Sequence, residues 1–432
     1  MKESLITAVT ANQGYSDYGP PAVVVTVETA GGATGTASYM QSASFGEFYG
    51  DSLLDEKKEF EGNGVLSACA IINSVIGPAL IGKDAFQQSQ IDEIIMDSLR
   101  TTHLTCAVNI TSPVSFAVLK AAAAAKGEPL YRYLGGASAF TLPVPGFLCA
   151  SGSNRYGVYD DAQGKPNYAF VAYGFDNHDD ADYAIWEVED AWENMIAKEY
   201  GVRPHRGFSM AIPSGRITAD QQMWELMNRC IREKGYEGKV GLHADLSAHA
   251  FWNAEKNVYA GLFDTQERTR DQMIETVLEM AHKYNFVIIQ DPLNTWDLEG
   301  YAKLTAESGV QIVGSDVFGT ALDRLHQCLV GKCFNTMLLR VQKYPTFSDC
   351  VRAVNMASSY GVGVMPMDSA GEDEDIVDYA VGFHCGTIYM SGPSCHGNRM
   401  PLLEDMIGPR VRFFGRYGLK GKAFELRHQT DG

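Results

Sequence analysis

The stretch FVIIQDPLNTWDLEGYAKLTAESGVQIV, residues 286–313, decides the fold because it contains one complete strand–helix–strand unit. Its first segment, Phe286–Gln290, is a short apolar run rich in β-branched residues, which is typical of a buried strand. Leu298–Glu307 has a helical pattern, and residues 311–313 are apolar again. Two strands joined through a helix are expected to be parallel, since a parallel pair needs a crossover connection.

The same alternation continues on both sides of this unit. Predicted strands cover residues 168–172, 240–244, 286–290, 311–313, 336–341, 363–365 and 386–389. Predicted helices cover residues 182–198, 219–234, 265–284, 298–307, 321–330, 347–360 and 376–383. Seven or eight such units favour a closed α/β barrel of parallel strands over an open sheet. No G-x-G-x-x-G or G-x-x-x-x-G-K-[ST] motif opens a helix, which removes the usual reason to prefer the open sheet.

The N-terminal part of the chain has a different organisation. Strands are predicted at residues 22–29 and 34–39, and helices at 65–76, 84–98 and 113–126. The last helix, FAVLKAAAAAK, consists largely of the best helix former and is followed by Gly127 and Pro129, which stop it. The segment GGASAFTLPVP, residues 135–145, has no helical period. We therefore predict an α+β domain over residues 1–137 and a barrel domain over residues 138–432.

Composition and charge exclude several classes of protein. The chain of 432 residues is 45% hydrophobic and 20% charged, as in ordinary globular proteins. Its net charge of −18 opposes binding to nucleic acid or an anionic membrane. The longest apolar stretch, residues 65–82, is interrupted by polar residues and Pro78, and no export signal is visible. Nine scattered cysteines without a C-x-x-C pair indicate reduced thiols, and so a cytoplasmic protein.

In a barrel of this type the active site forms where the strands end. That rule selects Asp245, Gln290, Ser315 with its neighbour Asp316, and Arg340, together with residues 367–369 and 391–399.

Several segments around these positions resemble enolase. Residues 64–92 and 116–136 resemble the helical half of the enolase N-terminal domain. LPVPGFL, GKVGLHAD, IIQDPL, GVQIVGSDVFGT and SGPSCHGNR, which begin at residues 142, 238, 288, 309 and 391, follow the order and spacing of the enolase barrel. The resemblance implies an α/β fold with an N-terminal α+β capping domain followed by an eight-fold barrel of the TIM type. It also implies a homo-oligomer, a dimer or larger.

The resemblance implies a magnesium ion held by three carboxylates at strand ends, since this cation prefers oxygen ligands. Here the three positions carry Asp245, Gln290 and Ser315. Asp291 and Asp316 each come one residue later, but adjacent residues on a strand point to opposite faces. We therefore expect metal binding to be weak or absent, with Asp245 as the residual ligand or base.

The lysine that acts as the base in enolases corresponds to Arg340, which lies 25 residues after Ser315. Arginine stays protonated, so it is a poor proton acceptor and a good clamp for a carboxylate. The H-R-S-G segment of the family corresponds to Met367, Asp368 and Ser369, and an aspartate there would repel a phosphate dianion.

Other family positions have also changed. The acidic pair near the leaving hydroxyl corresponds to Tyr168 and Phe208, and the late lysine that holds the substrate carboxylate corresponds to Leu402. Asn154 replaces a mobile-loop histidine, whereas Ser44 matches a mobile-loop serine. The substrate-binding residues that the resemblance implies are therefore Ser44, Asn154, Ser369 and Arg340.

These changes predict a rebuilt site that binds or converts a small carboxylate, by carbon–oxygen lyase or related enolate chemistry. Efficient dehydration of 2-phosphoglycerate is not expected. Two alternatives stay open: a non-catalytic homologue retained for binding or assembly, and an authentic phosphopyruvate hydratase whose ligands are Asp291 and Asp316. Two secondary interpretations are a transition-metal site at His243, Asp245 and His249, and a nucleophile at Cys395 with His396.

Overall fold

A computed structural model describes residues 2–16, 19–40, 47–104, 107–152, 156, 165–201, 210–211, 215–368, 375–390 and 398–413. The chain divides into two compact units. The first comprises Met1–Ala139, Arg340–Met356 and Met367–Phe383, and the second comprises Phe140–Leu339, Ala357–Pro366 and His384–Gly432. The domain boundary after residue 137 stays a prediction from the sequence.

Strands and helices of the described residues are numbered in chain order. The strands are β1 (Ile6–Tyr15), β2 (Pro21–Thr29), β3 (Thr34–Met40), β4 (Thr141–Leu142), β5 (Val144–Ser151), β6 (Asn167–Ala172), β7 (Met210–Ala211), β8 (Val240–Asp245), β9 (Trp252–Asn253), β10 (Val258–Tyr259), β11 (Phe286–Gln290), β12 (Gln311–Gly314), β13 (Thr336–Leu339), β14 (Gly363–Pro366), β15 (Thr387–Met390) and β16 (Arg412–Phe413). The helices are α1 (Leu66–Ile71), α2 (Gly77–Leu80), α3 (Gln88–Arg100), α4 (Val108–Lys126), α5 (Leu130–Gly135), α6 (His178–Tyr200), α7 (Asp220–Glu233), α8 (Arg270–Lys283), α9 (Leu298–Glu307), α10 (Leu322–Val330), α11 (Phe347–Ser359), α12 (Asp375–Gly382) and α13 (Arg399–Ile407).

The first unit is built on an antiparallel sheet in the order β1-β2-β3, which α4 covers. The helix lies very close to β3 at Gly35, where a Cβ atom would stand 2.2 Å from the carbonyl oxygen of Ala117 and 2.2 Å from the nitrogen of Ala121. Glycine is therefore required at this position of the strand. By length and composition α4 is apolar enough to cross a membrane, and 83% of its most apolar 18-residue window is buried inside the protein.

Two later segments of the chain also belong to the first unit. Ser112 of α4 donates a hydrogen bond of 2.6 Å to the carbonyl oxygen of Gln342, and the backbone nitrogen of Phe347 donates to Ser115. Asp378 of α12 accepts a hydrogen bond from the backbone nitrogen of Tyr131. These contacts attach Arg340–Met356 and Met367–Phe383 to the first unit.

The second unit contains the barrel. Its sheet has the order β14-β13-β12-β11-β8-β6-β5-β15, with β7 beside β5, and the outer strands β14 and β15 approach each other. The result is a nearly closed eight-stranded barrel with helices between most of its strands, which confirms the predicted α/β barrel fold.

One strand contradicts the expectation that all barrel strands are parallel. β6 runs antiparallel to both of its neighbours, β5 and β8. The strand pattern alone does not reveal direction, and the connection between β5 and β6 contains no helix, which an antiparallel pair does not need. The reversal places the beginning of β6, and not its end, beside the end of β8, where Asn167 pairs with Asp245.

Other differences from the predicted elements are local. β5 lies partly in the segment that the sequence assigned to a domain boundary. The predicted helix 113–126 begins five residues earlier, at Val108, so Pro113 lies inside α4. The predicted strand 336–341 ends at Leu339, and Arg340 follows it as the residue before a short 3-10 turn. The seven described cysteines are all free and buried, as the sequence predicts.

Candidate functional site

The end of β8 carries the candidate site. The ring of His243 lies 4.4 Å from the ring of Tyr389 on β15. These strands are not neighbours in the sheet, so the contact crosses the barrel interior and shows that His243 points inward. Asp245 lies two residues later, at the end of the same strand, and therefore projects on the same side. Its side chain is completely buried.

Two polar residues on adjacent strands face the same way as Asp245. Gln290 at the end of β11 and Asn167 at the start of β6 are both in register with Asp245. Gln290 is fully buried, and the amide oxygen of Asn167 is buried without a hydrogen-bond partner. The strand ends thus present one carboxylate flanked by two amides.

Lys165 supplies the positive charge at this end of the barrel. Its ammonium forms an ion pair and hydrogen bond with Oδ2 of Asp245, and its side chain is 15% exposed. Lys165 reaches Asp245 because it lies two residues before Asn167, and the start of the reversed β6 lies beside the end of β8. Reasoning from the ends of parallel strands could not find this residue. The signal in the sequence is a lysine three residues before the predicted strand at 168–172.

Ser247 connects Asp245 to a second carboxylate. Its hydroxyl lies 3.3 Å from Oδ1 of Asp245 and 3.1 Å from Oδ2 of Asp316, so it can donate to either. Nδ1 of the half-buried His249 lies 3.7 Å from the same Asp316 oxygen. The structure therefore brings Asp245, Ser247 and Asp316 together, which corrects the expectation that Asp316 points away from the ligand positions. β12 ends at Gly314, so the alternation of strand faces does not extend to Asp316.

Asp291 braces the backbone after β12. Its Oδ1 accepts hydrogen bonds from the backbone nitrogens of Ser315, at 2.9 Å, and Asp316, at 3.1 Å. The hydroxyl of Tyr301 on α9 donates to the same oxygen at 3.4 Å. Burial, followed by the nearby charges of Asp316 and Asp245, raises the pKa of Asp291 well above its usual range. This carboxylate is thus engaged by the loop and by the helix layer.

The magnesium ion that the resemblance implies can be tested against these side chains. Ions of this kind are held by several oxygen ligands, chiefly carboxylates. Asp245 already forms an ion pair with the Lys165 ammonium, and one oxygen of Asp291 accepts hydrogen bonds from backbone nitrogens. Within the described part of the chain, no group of three or more His, Cys, Asp or Glu side chains is disposed to hold a metal ion. The described residues do not fit a magnesium site.

The predicted transition-metal site at His243, Asp245 and His249 can be tested in the same way. His243 is completely buried between Asp245 and Tyr389, and burial lowers its pKa to about 4, against the opposing charge of Asp245. His243 is therefore neutral at physiological pH. His249 approaches Asp316, as described above, and the described residues gather no metal-binding group around the pair.

Tyr168 faces the helix layer. It is paired with Ala244, whose side chain points away from the interior because its neighbours His243 and Asp245 point inward. Its hydroxyl donates a hydrogen bond of 2.6 Å to Oδ2 of Asp220, the first residue of α7. Tyr156 donates to the other oxygen of Asp220 at 2.6 Å. Tyr168 is therefore part of a buried network behind the strand.

Arg340 belongs to the first unit by its contacts. It is 5% exposed, and its guanidinium carbon lies 5.8 Å from the ring centre of Tyr49, which is a cation–π arrangement. Asp368 is also buried in the first unit. Leu402, on α13 of the second unit, is 51% exposed.

Several predicted site residues lie outside the described residues. These are Ser44, Asn154 and Ser369 of the predicted substrate site, and also Phe208, Cys395 and His396. Their assignments stay predictions.

Comparison with known proteins covers both units. A family model described as the enolase N-terminal domain matches residues 6–134, and one described as the enolase C-terminal TIM barrel domain matches residues 187–416. A protein named Enolase from Methanococcus aeolicus is 32% identical over 417 residues, which cover 93% of this chain and 96% of the relative. Proteins of the same name from Methanopyrus kandleri and Solanum lycopersicum are 33% and 31% identical, and cover 95% and 93% of this chain and 99% and 94% of the relatives.

Proposed function

Because the chain belongs to the enolase family, we propose that it binds a small carboxylate other than 2-phosphoglycerate and acts on it by carbon–oxygen lyase or related enolate chemistry. The observation that supports this proposal is the composition of the strand ends. Asp245 is paired with Lys165 and flanked by the neutral Gln290 and Asn167, in a place where a metal-dependent enolase needs several carboxylates.

The proposed roles follow from the chemistry of the side chains. Arg340 binds the carboxylate of the ligand, because a planar guanidinium offers two parallel donors to it and keeps its charge at any ordinary pH. A fixed cation also favours the extra negative charge that develops when a proton leaves the carbon next to that carboxylate. Asp245 is the proposed proton acceptor. Ser44, Asn154 and Ser369 are proposed to donate hydrogen bonds to the ligand.

A ligand screen tests the role of Arg340. Small carboxylates and 2-phosphoglycerate are screened by thermal shift, and each hit is titrated by calorimetry against wild type, Arg340→Ala and Arg340→Lys. We expect Arg340→Ala to weaken binding by about tenfold or more, because one charged hydrogen bond contributes about 1.5–3 kcal/mol. Arg340→Lys should keep part of the affinity as a point charge. Equal affinity in all three proteins would contradict the role.

Dehydration of 2-phosphoglycerate is the second candidate. The relatives named Enolase cover nearly the whole chain, and Asp245 is retained at the first ligand position. The assay follows formation of the enol product by ultraviolet absorbance, with added magnesium and then with chelator, beside a known enolase. A rate comparable to that enolase, abolished by chelator, would replace the first proposal.

The remaining alternative is a non-catalytic member kept for binding or assembly. It predicts no thermal response to any small carboxylate together with a stable oligomer, measured by size-exclusion chromatography with light scattering.

A homo-oligomer and a cytoplasmic location are also proposed, the first from the family and the second from the free, buried cysteines. With a net charge of −18, neither nucleic acid nor an anionic membrane is proposed as a partner.

A further inference from the structure

Lys165 and Asp245 form a charge pair at the strand ends of the barrel, and the pair explains why the described residues do not fit magnesium. We propose that Lys165 is the resident cation of the site: its ammonium supplies the positive charge beside Asp245 that a divalent cation supplies in a metal-dependent enolase, and it excludes such a cation from this position.

The first step of the argument concerns burial. Asp245 has no exposed surface, and a carboxylate removed from water needs a charged partner or strong hydrogen bonds. Ser247 offers one hydroxyl, which it shares with Asp316. Among the described residues, Lys165 is the side chain that pairs with Asp245 by charge. The ammonium is therefore the charged partner that this buried carboxylate needs.

The second step concerns position. Lys165 reaches the site because β6 is antiparallel to β8, so that the residues before Asn167 lie at the end of β8. Its side chain is 15% exposed, so the ammonium lies at the edge of the site and remains largely shielded from water. The parallel strands place at this end of the barrel the residues that follow them. The reversed β6 instead places there a lysine that precedes it.

The third step concerns competition with a metal ion. A dication bound to Asp245 would lie within a few ångströms of the ammonium, and unit charges about 4 Å apart repel by about 4 kcal/mol even at an effective dielectric constant of about 20. Gln290 and Asn167 are neutral and offset none of that repulsion, whereas Asp316, which shares the Ser247 hydroxyl with Asp245, offsets part of it. The site therefore binds a divalent cation poorly while Lys165 is charged.

The ammonium also has a consequence for the ligand, and this part rests on the proposed function. A lysine has three N–H donors, of which one is directed to Asp245. A ligand carboxylate near the strand ends can accept from another. The positive charge that favours an enolate would then come from this chain's own side chains.

Manganese binding tests the inference, because Mn²⁺ is a spectroscopic substitute for Mg²⁺ whose free form is measured by electron paramagnetic resonance. Wild type, Lys165→Met and Lys165→Arg are titrated with Mn²⁺ alone at about pH 8, where ordinary carboxylates are ionised. We expect no wild-type site with a dissociation constant below about 1 mM. Lys165→Met should tighten Mn²⁺ binding at least about tenfold, because the repelling charge is gone. Lys165→Arg should behave like wild type.

The double variant Lys165→Met/Asp245→Asn provides the matched control. It should lose the gain, because the carboxylate that binds the metal is gone, and near-ultraviolet circular dichroism shows that each variant is folded. The inference is overturned if wild type binds one Mn²⁺ per chain below about 1 mM and Asp245→Asn abolishes that binding, or if folded Lys165→Met gains nothing. If Lys165→Met does not fold, the wild-type and Asp245→Asn titrations decide. Since no carboxylate ligand is added, failure of the proposed function would leave this result unaffected.

Discussion

Replacing Tyr168 with phenylalanine is expected to destabilise the barrel while leaving the ligand site intact. The hydroxyl of Tyr168 donates to Oδ2 of Asp220 at 2.6 Å, and both side chains are fully buried. The variant removes the hydroxyl, while the phenyl ring keeps its contacts with Trp224 and Phe286. The perturbation therefore includes the loss of one hydrogen bond to a buried carboxylate.

The size of the effect follows from the surroundings of Asp220. Tyr156 continues to donate to its other oxygen at 2.6 Å, so the carboxylate keeps part of its support. A hydrogen bond to a charged group contributes about 1.5–3 kcal/mol, and both side chains are fully buried. We expect a fall in stability of this size, which corresponds to roughly 2–4 °C in Tm for each kcal/mol in a unit of this kind.

Thermal unfolding of wild type and Tyr168→Phe, followed by circular dichroism, measures this loss. Tyr236→Phe is the matched control: its hydroxyl donates to Glu187 at 2.5 Å, but both side chains are partly exposed, so the expected loss is about 1 kcal/mol or less. An unchanged Tm in Tyr168→Phe, combined with weaker binding of a carboxylate ligand, would refute the reasoning. It would mean that the Tyr168 hydroxyl contributes to ligand binding and that Tyr168 points into the barrel and not toward the helix layer.

Two further predictions concern packing and pH. Gly35→Ala should destabilise the first unit by about 1–3 kcal/mol or more, because its Cβ would stand 2.2 Å from backbone atoms of α4. Limited proteolysis of that unit measures the loss of stability. Unchanged protection from the protease would contradict the close approach of α4 to β3. Folded His243 has a pKa of about 4, below the ordinary value of 6.5, so the unfolded chain binds more protons between these values and stability falls as pH drops through that window. His243→Phe should flatten the dependence of Tm on pH between 6.5 and 4, and an unchanged slope would show that other groups cause it.

The sequence predicted the barrel because its main determinant, the alternation of apolar strands and helices, is local. Phe286–Gln290, Leu298–Glu307 and the strand that begins at Gln311 occur as predicted, since each has its own apolar pattern. Strand direction is not local. The reversal of β6 depends on which strand it pairs with, and the residues before it carry no sign of that partner.

The candidate site, like the fold, was predictable only where its determinants are local in the sequence. Asp245 and Gln290 were selected by the strand-end rule, and the structure places them in register on the inner face. Lys165 was missed because the rule looks after each strand, whereas the reversed β6 brings the residues before it to the site. The carboxylate of Asp291 was recognised as facing away from its neighbour, but its role in binding the backbone of residues 315–316 depends on the loop conformation.

Under the proposals made above, the charged groups at the strand ends act together. The resemblance implies three carboxylates around a doubly charged ion, and a protein that lost two of them while keeping the metal would hold it weakly. Buried carboxylates without a charged partner are very unfavourable in a barrel interior, and Asp291 and Asp316 are buried near Asp245. The Lys165 ammonium pairs with Asp245, and burial raises the pKa of Asp291, which favours its uncharged form. The chain's net charge of −18 therefore says little about the charge at these strand ends, where the nearest partner of Asp245 is a cation.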